Sequence, residues 1–224
     1  MGNGGFGLYY LMSLVERILA DAEKANINII GGYEQQVKFV FNSRTKKILD
    51  HPWSHRSEEA TLSQQDFYFR NKEYTIRVRK ETDAFDSASR CIVSCKGEAQ
   101  GGAVKGRPLL QVTFEERYFQ AVCRELKEKG FQLNETMPRR ERYQFRIWTS
   151  KKETDHVEIH QDTYGRNNFS PQGRQFIEVV SLKGEQAISE LLKLVNTHWE
   201  TNLSLDDTDI VNATYLDMHF NQKP

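Results

Sequence analysis

RRERYQFRI, residues 139–147, sets Arg140, Arg142, Gln144 and Arg146 on alternate positions, with Tyr143, Phe145 and Ile147 between them. Successive side chains of a strand point to opposite faces, so this segment has one cationic face and one apolar face. YEQQVKF (33–39) repeats the pattern, with Glu34, Gln36 and Lys38 against Val37 and Phe39, and YTIRVRK (74–80) sets Arg77 and Arg79 against Ile76 and Val78. Ser94 and Lys96 alternate in CIVSCKG (91–97). In HVEIHQD (156–162), His156, Glu158, His160 and Asp162 share one face while Val157 and Ile159 share the other, and in QFIEVVS (175–181) Glu178 sits between Ile177 and Val179. A charged face on one strand is the ordinary solvated side of an antiparallel sheet. Its recurrence, rich in the arginine fork that matches phosphate oxygens, points instead to a polar-lined barrel interior.

Strand signals fall at 32–42, 61–70, 73–81, 90–96, 108–114, 139–149, 155–162 and 174–182, which makes eight strands the main content of the fold. Apolar residues at 8, 11, 12, 14, 15, 18 and 19 predict an amphipathic helix over Leu8 to Lys24, an N-terminal extension within residues 1–27 that precedes a domain over 28–224. Further helices are predicted over Glu115 to Lys129, stopped by Gly130, over Glu185 to Trp199, and after Ser204 as its cap. Two strand-rich halves, each trailed by a helix, describe an antiparallel α+β domain rather than βαβ units. Residues 43–60 and 97–108 read as loops.

The 31 basic and 31 acidic residues cancel, so no overall field recruits nucleic acid or a membrane, and any anion site has to be local. Three cysteines without zinc-type spacing argue against a disulfide framework and for reduced thiols in a soluble, cytoplasmic protein. The apolar run FGLYYLMSL (6–14) follows no basic region and is succeeded by Glu16 and Arg17, which fits neither a signal peptide nor a membrane span. His156, Glu158 and His160 on one strand face have donor types that suit a transition metal, although same-face residues two apart are ordinary in strands.

Taken with their order and spacing, these stretches resemble the CYTH domains, the triphosphate tunnel metalloenzymes that include class IV adenylyl cyclases, thiamine triphosphatases and inorganic triphosphatases. EQQVK (34–38) is similar to their Glu-x-Glu-x-Lys signature, and DFYFRNKEYTIRVRK (66–80) to the segment carrying their second strand and their Arg-x-Arg strand. Lys96, Arg140 or Arg142, Asp162 and Glu178 match the lysine of their fourth strand, the arginine of the sixth, the acid of the seventh and the start of the terminal Glu-x-Glu. The resemblance covers roughly 32–182, and TYLDM (214–218) is similar to their C-terminal helix. It implies an eight-stranded antiparallel β-barrel with flanking helices and an extra N-terminal helix. Lys38, Arg77, Arg79, Lys96, Arg140 and Arg142 would bind phosphate, Glu34 and Glu178 would hold Mg²⁺ or Mn²⁺, and Glu34, Asp162 and Glu178 would be the catalytic carboxylates.

The chain departs from that pattern where Gln36, Gln111 and Val180 stand in place of carboxylates. A hard cation wants charged oxygens, so the departures weaken the metal shell while leaving the anion grip, and they predict a net cationic lumen. The function expected is binding of a triphosphate-bearing small molecule, nucleotide or otherwise, with metal-dependent phosphohydrolase activity on the same residues. The alternatives are a non-catalytic module for nucleotides or an RNA 5′ end, and a structural subunit docked through its N-terminal helix.

Overall fold

The structure, a computed structural model, describes residues 13, 28–72, 75–96, 104–148, 156–164, 174–211, 213 and 218. The predicted N-terminal helix lies outside the described residues apart from residue 13, as does the 97–103 part of one predicted loop. The helix expected from Ser204 does not begin there: residues 205–209 form turns that Arg44 ties down through Asp207 and Asp209, and Ile210 bridges to Phe39. The strands are β1 (Asn28–Val40), β2 (Arg56–Arg70), β3 (Thr75–Asp83), β4 (Ser89–Lys96), β5 (Lys105–Glu115), β6 (Gln132–Thr136), β7 (Arg140–Trp148), β8 (His156–Tyr164) and β9 (Arg174–Ser181). The helices are α1 (Lys47–Asp50), α2 (Phe119–Glu128), which follows a 3₁₀ turn over Glu116–Tyr118, and α3 (Glu185–Trp199).

The strands hydrogen-bond in the order β3-β4-β5-β1-β9-β8-β7-β2-β6, and β3 also pairs with β2. Eight of them therefore close on themselves as an antiparallel barrel, with β6 added alongside β2. All eight predicted strands are present, and β6 is a ninth that the sequence did not announce. Its residues, QLNET, show no apolar alternation, and its burial is correspondingly slight. It forms because Phe67, Phe69 and Arg70 of β2 offer Thr136, Leu133 and Gln132 an antiparallel partner across a bulge.

Residues 43–60 are not the plain loop expected of them. Ile48 of α1 is fully buried, the Trp53 indole donates to the Ile48 carbonyl at 3.1 Å, and β2 begins at Arg56, whose guanidinium lies 4.0 Å from the centre of the Phe145 ring. Apolar anchors at 48 and 53 and a cation stacked on an aromatic ring give a polar stretch a fixed conformation.

The chain divides into two compact units, one of Met1–Gly32, Ser63–Glu98 and Pro108–Arg139, the other of Tyr33–Leu62, Ala99–Arg107 and Arg140–Pro224. In the first, Ile76 and Val78 of β3, Cys91 and Val93 of β4 and Val112 and Phe114 of β5 pack with Val122 and Leu126 of α2. Gly130, at φ +83°, ends α2 as predicted: Gly130 N–H donates to Lys127 and Phe131 N–H to Leu126, so the last carbonyls are satisfied. In the second, Val37 and Phe39, Phe145, Ile159, Ile177 and Val179 pack with Ile188, Leu191, Leu192 and Val195 of α3, a helix with the predicted bounds. Each core uses the apolar face of its strands, which leaves the alternating polar face for other work.

A candidate anion site on the polar strand faces

Cross-strand register explains how the polar face of the second unit is assembled. Lys38 of β1 lies opposite Glu178 of β9, Glu178 opposite His160 of β8, and His160 opposite Gln144 of β7. On one side of this row runs Gln36, Val180, Glu158 and Arg146, and on the other Val40, Phe176, Asp162 and Arg142. Antiparallel pairing brings directly opposite side chains within about 5 Å at Cβ, so each row is a line of contacts.

The contacts form a chain of ion pairs. Arg142 donates from Nε to Asp162 Oδ1 at 2.6 Å and from Nη2 to Asp162 Oδ2 at 2.7 Å, and Nη2 also reaches Glu178 Oε2 at 2.9 Å. Lys38 Nζ stands 3.6 Å from Glu178 Oε1 and donates to the Ala213 carbonyl at 3.1 Å. Arg140 donates to the Tyr164 hydroxyl at 2.8 Å and lies 3.7 Å from Asp162. Lys38, Arg140, Arg142, His160, Asp162, Glu178 and Glu34 are all buried. Burial works against ionisation of Asp162, but Arg140 and Arg142 outweigh it and hold the carboxyl down at about 2. Burial likewise opposes the charge of Glu178, and the His160 ring, Lys38 and Arg142 together leave it well below the usual carboxylate range.

His156, Glu158 and His160 form an ionic cluster of their own. Glu158 accepts from Arg146 Nε at 2.9 Å, with His160 Nε2 at 3.1 Å and His156 Nε2 at 3.4 Å. Burial is again the opposing influence, and the two rings and Arg146 depress the Glu158 carboxyl strongly.

In the first unit the polar face is built on β2, β3 and β4. Arg79 grips Asp66 with both prongs, Nε to Oδ1 at 2.6 Å and Nη2 to Oδ2 at 2.9 Å. Arg77 donates to Ser94 Oγ at 3.0 Å and stands 3.9 Å from Asp66. Glu81 accepts from Arg90 Nε at 2.6 Å and from the Gln64 amide; burial opposes its charge, and Arg79 and Arg90 lower its pKa nonetheless. Lys96 closes β4, and its side chain lies outside the described residues. Gln111 is opposite Ser94, which stands opposite Arg77, so these three continue one row.

Reasoning from sequence missed Asp66, Glu81 and Gln64. The signal was present: Gln64 and Asp66 share a parity on β2 that excludes Phe67 and Phe69, and Glu81 extends the parity of Arg77 and Arg79. These acids compensate cations on faces expected to be net cationic. In the second unit Lys38, Arg140, Arg142 and Arg146, with Arg174 in the same parity of β9, meet Glu34, Glu158, Asp162 and Glu178. In the first unit Arg77, Arg79 and Arg90, with Lys96 in the parity of Arg90 on β4, meet Asp66 and Glu81.

The site residues do not fit Mg²⁺ or Mn²⁺. Among the described residues no three His, Cys, Asp or Glu side chains are grouped to hold a metal ion. The Glu178 oxygens face Lys38 and Arg142, and both Asp162 oxygens are taken by Arg142, so their charge is already compensated. Val180, which offers no donor, separates Gln36 from Glu158 in their row.

No protein-family model matches the chain, and no curated protein matches it in sequence. Solved structures do match in fold. A protein from Pyrococcus horikoshii aligns over 85% of this chain and 99% of its own, at 19% identity and a TM-score of 0.54. A conserved hypothetical protein from Pyrococcus furiosus aligns over 83% and 99%, at 14% identity and a TM-score of 0.51. A proposed adenylyl cyclase from Hippeastrum, with a dominant triphosphatase activity, aligns over 85% and 97%, at 12% identity and a TM-score of 0.54. The chain is thus an eight-stranded antiparallel barrel protein with charged strand faces. Its fold is CYTH-like, and the likeness at these identities is one of fold. No helix among the described residues is long and apolar enough to cross a membrane.

Proposed function

We propose that this protein is a divergent CYTH-type domain that binds a triphosphate-bearing small molecule through Lys38, Arg140 and Arg142, and that it acts as a binding module rather than a metal-dependent hydrolase. The observation that carries this reading is the shared grip of Arg142 on Asp162 and Glu178, with Lys38 beside it. The planar guanidinium fork donates to two phosphate oxygens in the same geometry as to two carboxylate oxygens, so a polyphosphate enters by exchanging with Asp162 and Glu178. Those carboxylates keep the buried cations charged and aimed until it does. Arg77, Arg79 and Lys96 extend the phosphate-binding set, and an RNA 5′ end presents the same chemistry on a larger ligand. The likeness in fold to a protein with triphosphatase activity supports the choice of triphosphate over other anions.

Hydrolysis is the second reading, favoured by that same neighbour, with Glu34, Asp162 and Glu178 as the carboxylates involved. Calorimetry with inorganic tripolyphosphate and ATP, in EDTA and in Mn²⁺, paired with a phosphate-release assay, separates the two. The binding module predicts affinity in EDTA, weakened at least about tenfold in Lys38→Ala, with no turnover over hours. Mn²⁺-dependent phosphate release that disappears in Glu34→Ala and Glu178→Ala overturns the module in favour of the enzyme. Absence of any triphosphate affinity overturns both and leaves the structural subunit.

A further inference from the structure

A cleft of about 640 Å³ lies within the first unit, where the end of β2, the turn after α2 and β6 come together. The described residues lining it include three cations, Arg70, Lys72 and Lys129, and no carboxylate. This contrasts with the strand faces, where cations meet acids. Arg70 and Lys72 are exposed, and Lys129 is half-buried, donating to Ser13 Oγ at 3.0 Å. Gln132, Leu133 and Asn134 of β6 line the same cleft and are exposed, Leu133 at 47%.

Strand β6 is the last in the sheet order, hydrogen-bonded to β2 and, among the described residues, to no second strand. An edge of this kind presents backbone N–H and C=O groups to any extended chain, and proteins ordinarily blunt it with charges or proline on the strand itself. Gln132, Leu133 and Asn134 carry neither, and the one charge on β6, Glu135, follows them outside the cleft lining; the cations stand beside the edge, on neighbouring segments. A cation at the end of a helix is expected from the macrodipole alone, which accounts for Lys129 but not for Arg70 and Lys72 at the end of β2. Nucleic acid is the obvious polyanion, but single strands are held by stacking on aromatic rings, and the described lining has none. An added strand draws its affinity from main-chain hydrogen bonds and its specificity from side-chain sites along the edge.

We propose that this cleft binds an extended acidic peptide segment of a partner protein, added as a strand along Gln132–Asn134, with its carboxylates on Arg70, Lys72 and Lys129 and an apolar side chain on Leu133. The probe is a fluorescein-labelled Glu-Val-Glu-Val-Glu-Val-Glu peptide, titrated against the full chain by fluorescence anisotropy. Saturable binding is expected, weakened at least about tenfold by the double variant Arg70→Glu/Lys72→Glu and lost for a peptide N-methylated at its valines. Both substituted residues are exposed, and an unchanged thermal melt verifies that the variant folds. Three results would overturn the proposal: no binding at millimolar peptide, equal binding of the N-methylated peptide, or tighter binding of decauridylate than of the acidic peptide.

Discussion

The polar faces of the two units use one device in two degrees of completeness. On β7, β8 and β9, Arg142 bridges two buried carboxylates and Lys38 shares one of them, so removing any member strands a charge away from water. On β2 and β3, Arg79 holds one carboxylate, Asp66, which Arg77 also approaches; the outer pair, Glu81 with Arg90, opens to solvent, where the Arg90 side chain is 50% exposed. The first arrangement is a sealed network and the second a graded one. The same guanidinium–carboxylate contact therefore has different energetic consequences in the two places, because desolvation decides what an unpaired partner costs.

The largest effect expected is from Arg142→Met. It leaves Asp162 and Glu178 without their common partner and should lower the unfolding free energy by about 3–5 kcal/mol in urea titration. Arg79→Met should cost less, because Arg79 hydrogen-bonds one buried carboxylate where Arg142 hydrogen-bonds two. Equal losses in the two variants would break the distinction between the faces.

Acid sharpens the same contrast. The folded pKa of Asp162, about 2, and that of Glu178 both lie below the ordinary carboxylate range, so their contribution is complete above that range and is lost as pH falls through the folded values. Asp162 and Glu178 titrate together, so stability declines as pH falls from the ordinary carboxylate range toward about 2. Unfolding measured across this window should show a shallower decline in Asp162→Asn, and an unchanged slope would remove Asp162 from the network.

Smaller effects come from the periphery. Arg90→Ala removes a half-exposed partner of Glu81 and should cost about 1 kcal/mol or less by thermal melting. His51, whose ring centre lies 5.0 Å from that of His198, has its pKa lowered by burial and by that neighbour. Its neutral form is therefore the one the fold favours, and the associated stability is present above the ordinary histidine range and lost as pH falls through it. The wild type should lose melting temperature between pH 7.5 and about 5.5 by slightly more than His51→Phe does.

Much of the fold was legible in the alternation. Every segment in which charged and apolar residues exchange places at period two is a strand of the predicted kind, and Gly130 and the span Glu185–Trp199 could be read directly. Strand β6 and the first residues of β2 could not, because QLNET and RSEEA have no apolar face of their own and become strands by borrowing a partner. The placement of Lys38, Arg77, Arg79, Arg140, Arg142, Glu34, Asp162 and Glu178 on polar strand faces was legible from parity alone. Asp66 and Glu81 stood in plain parity with the arginines, yet their importance depends on being the specific acids that Arg79 and Arg90 reach.

The sequence by itself determined which side chains share a face, because that follows from the two-residue period of an extended chain and needs no knowledge of neighbours. It also determined that both faces are populated and that one of them is charged. Only the tertiary structure decided which charges meet. Which carboxylate meets which guanidinium is fixed by cross-strand register, as in Lys38 opposite Glu178 and Arg142 opposite Asp162, and register is a relation between distant segments that no local pattern contains.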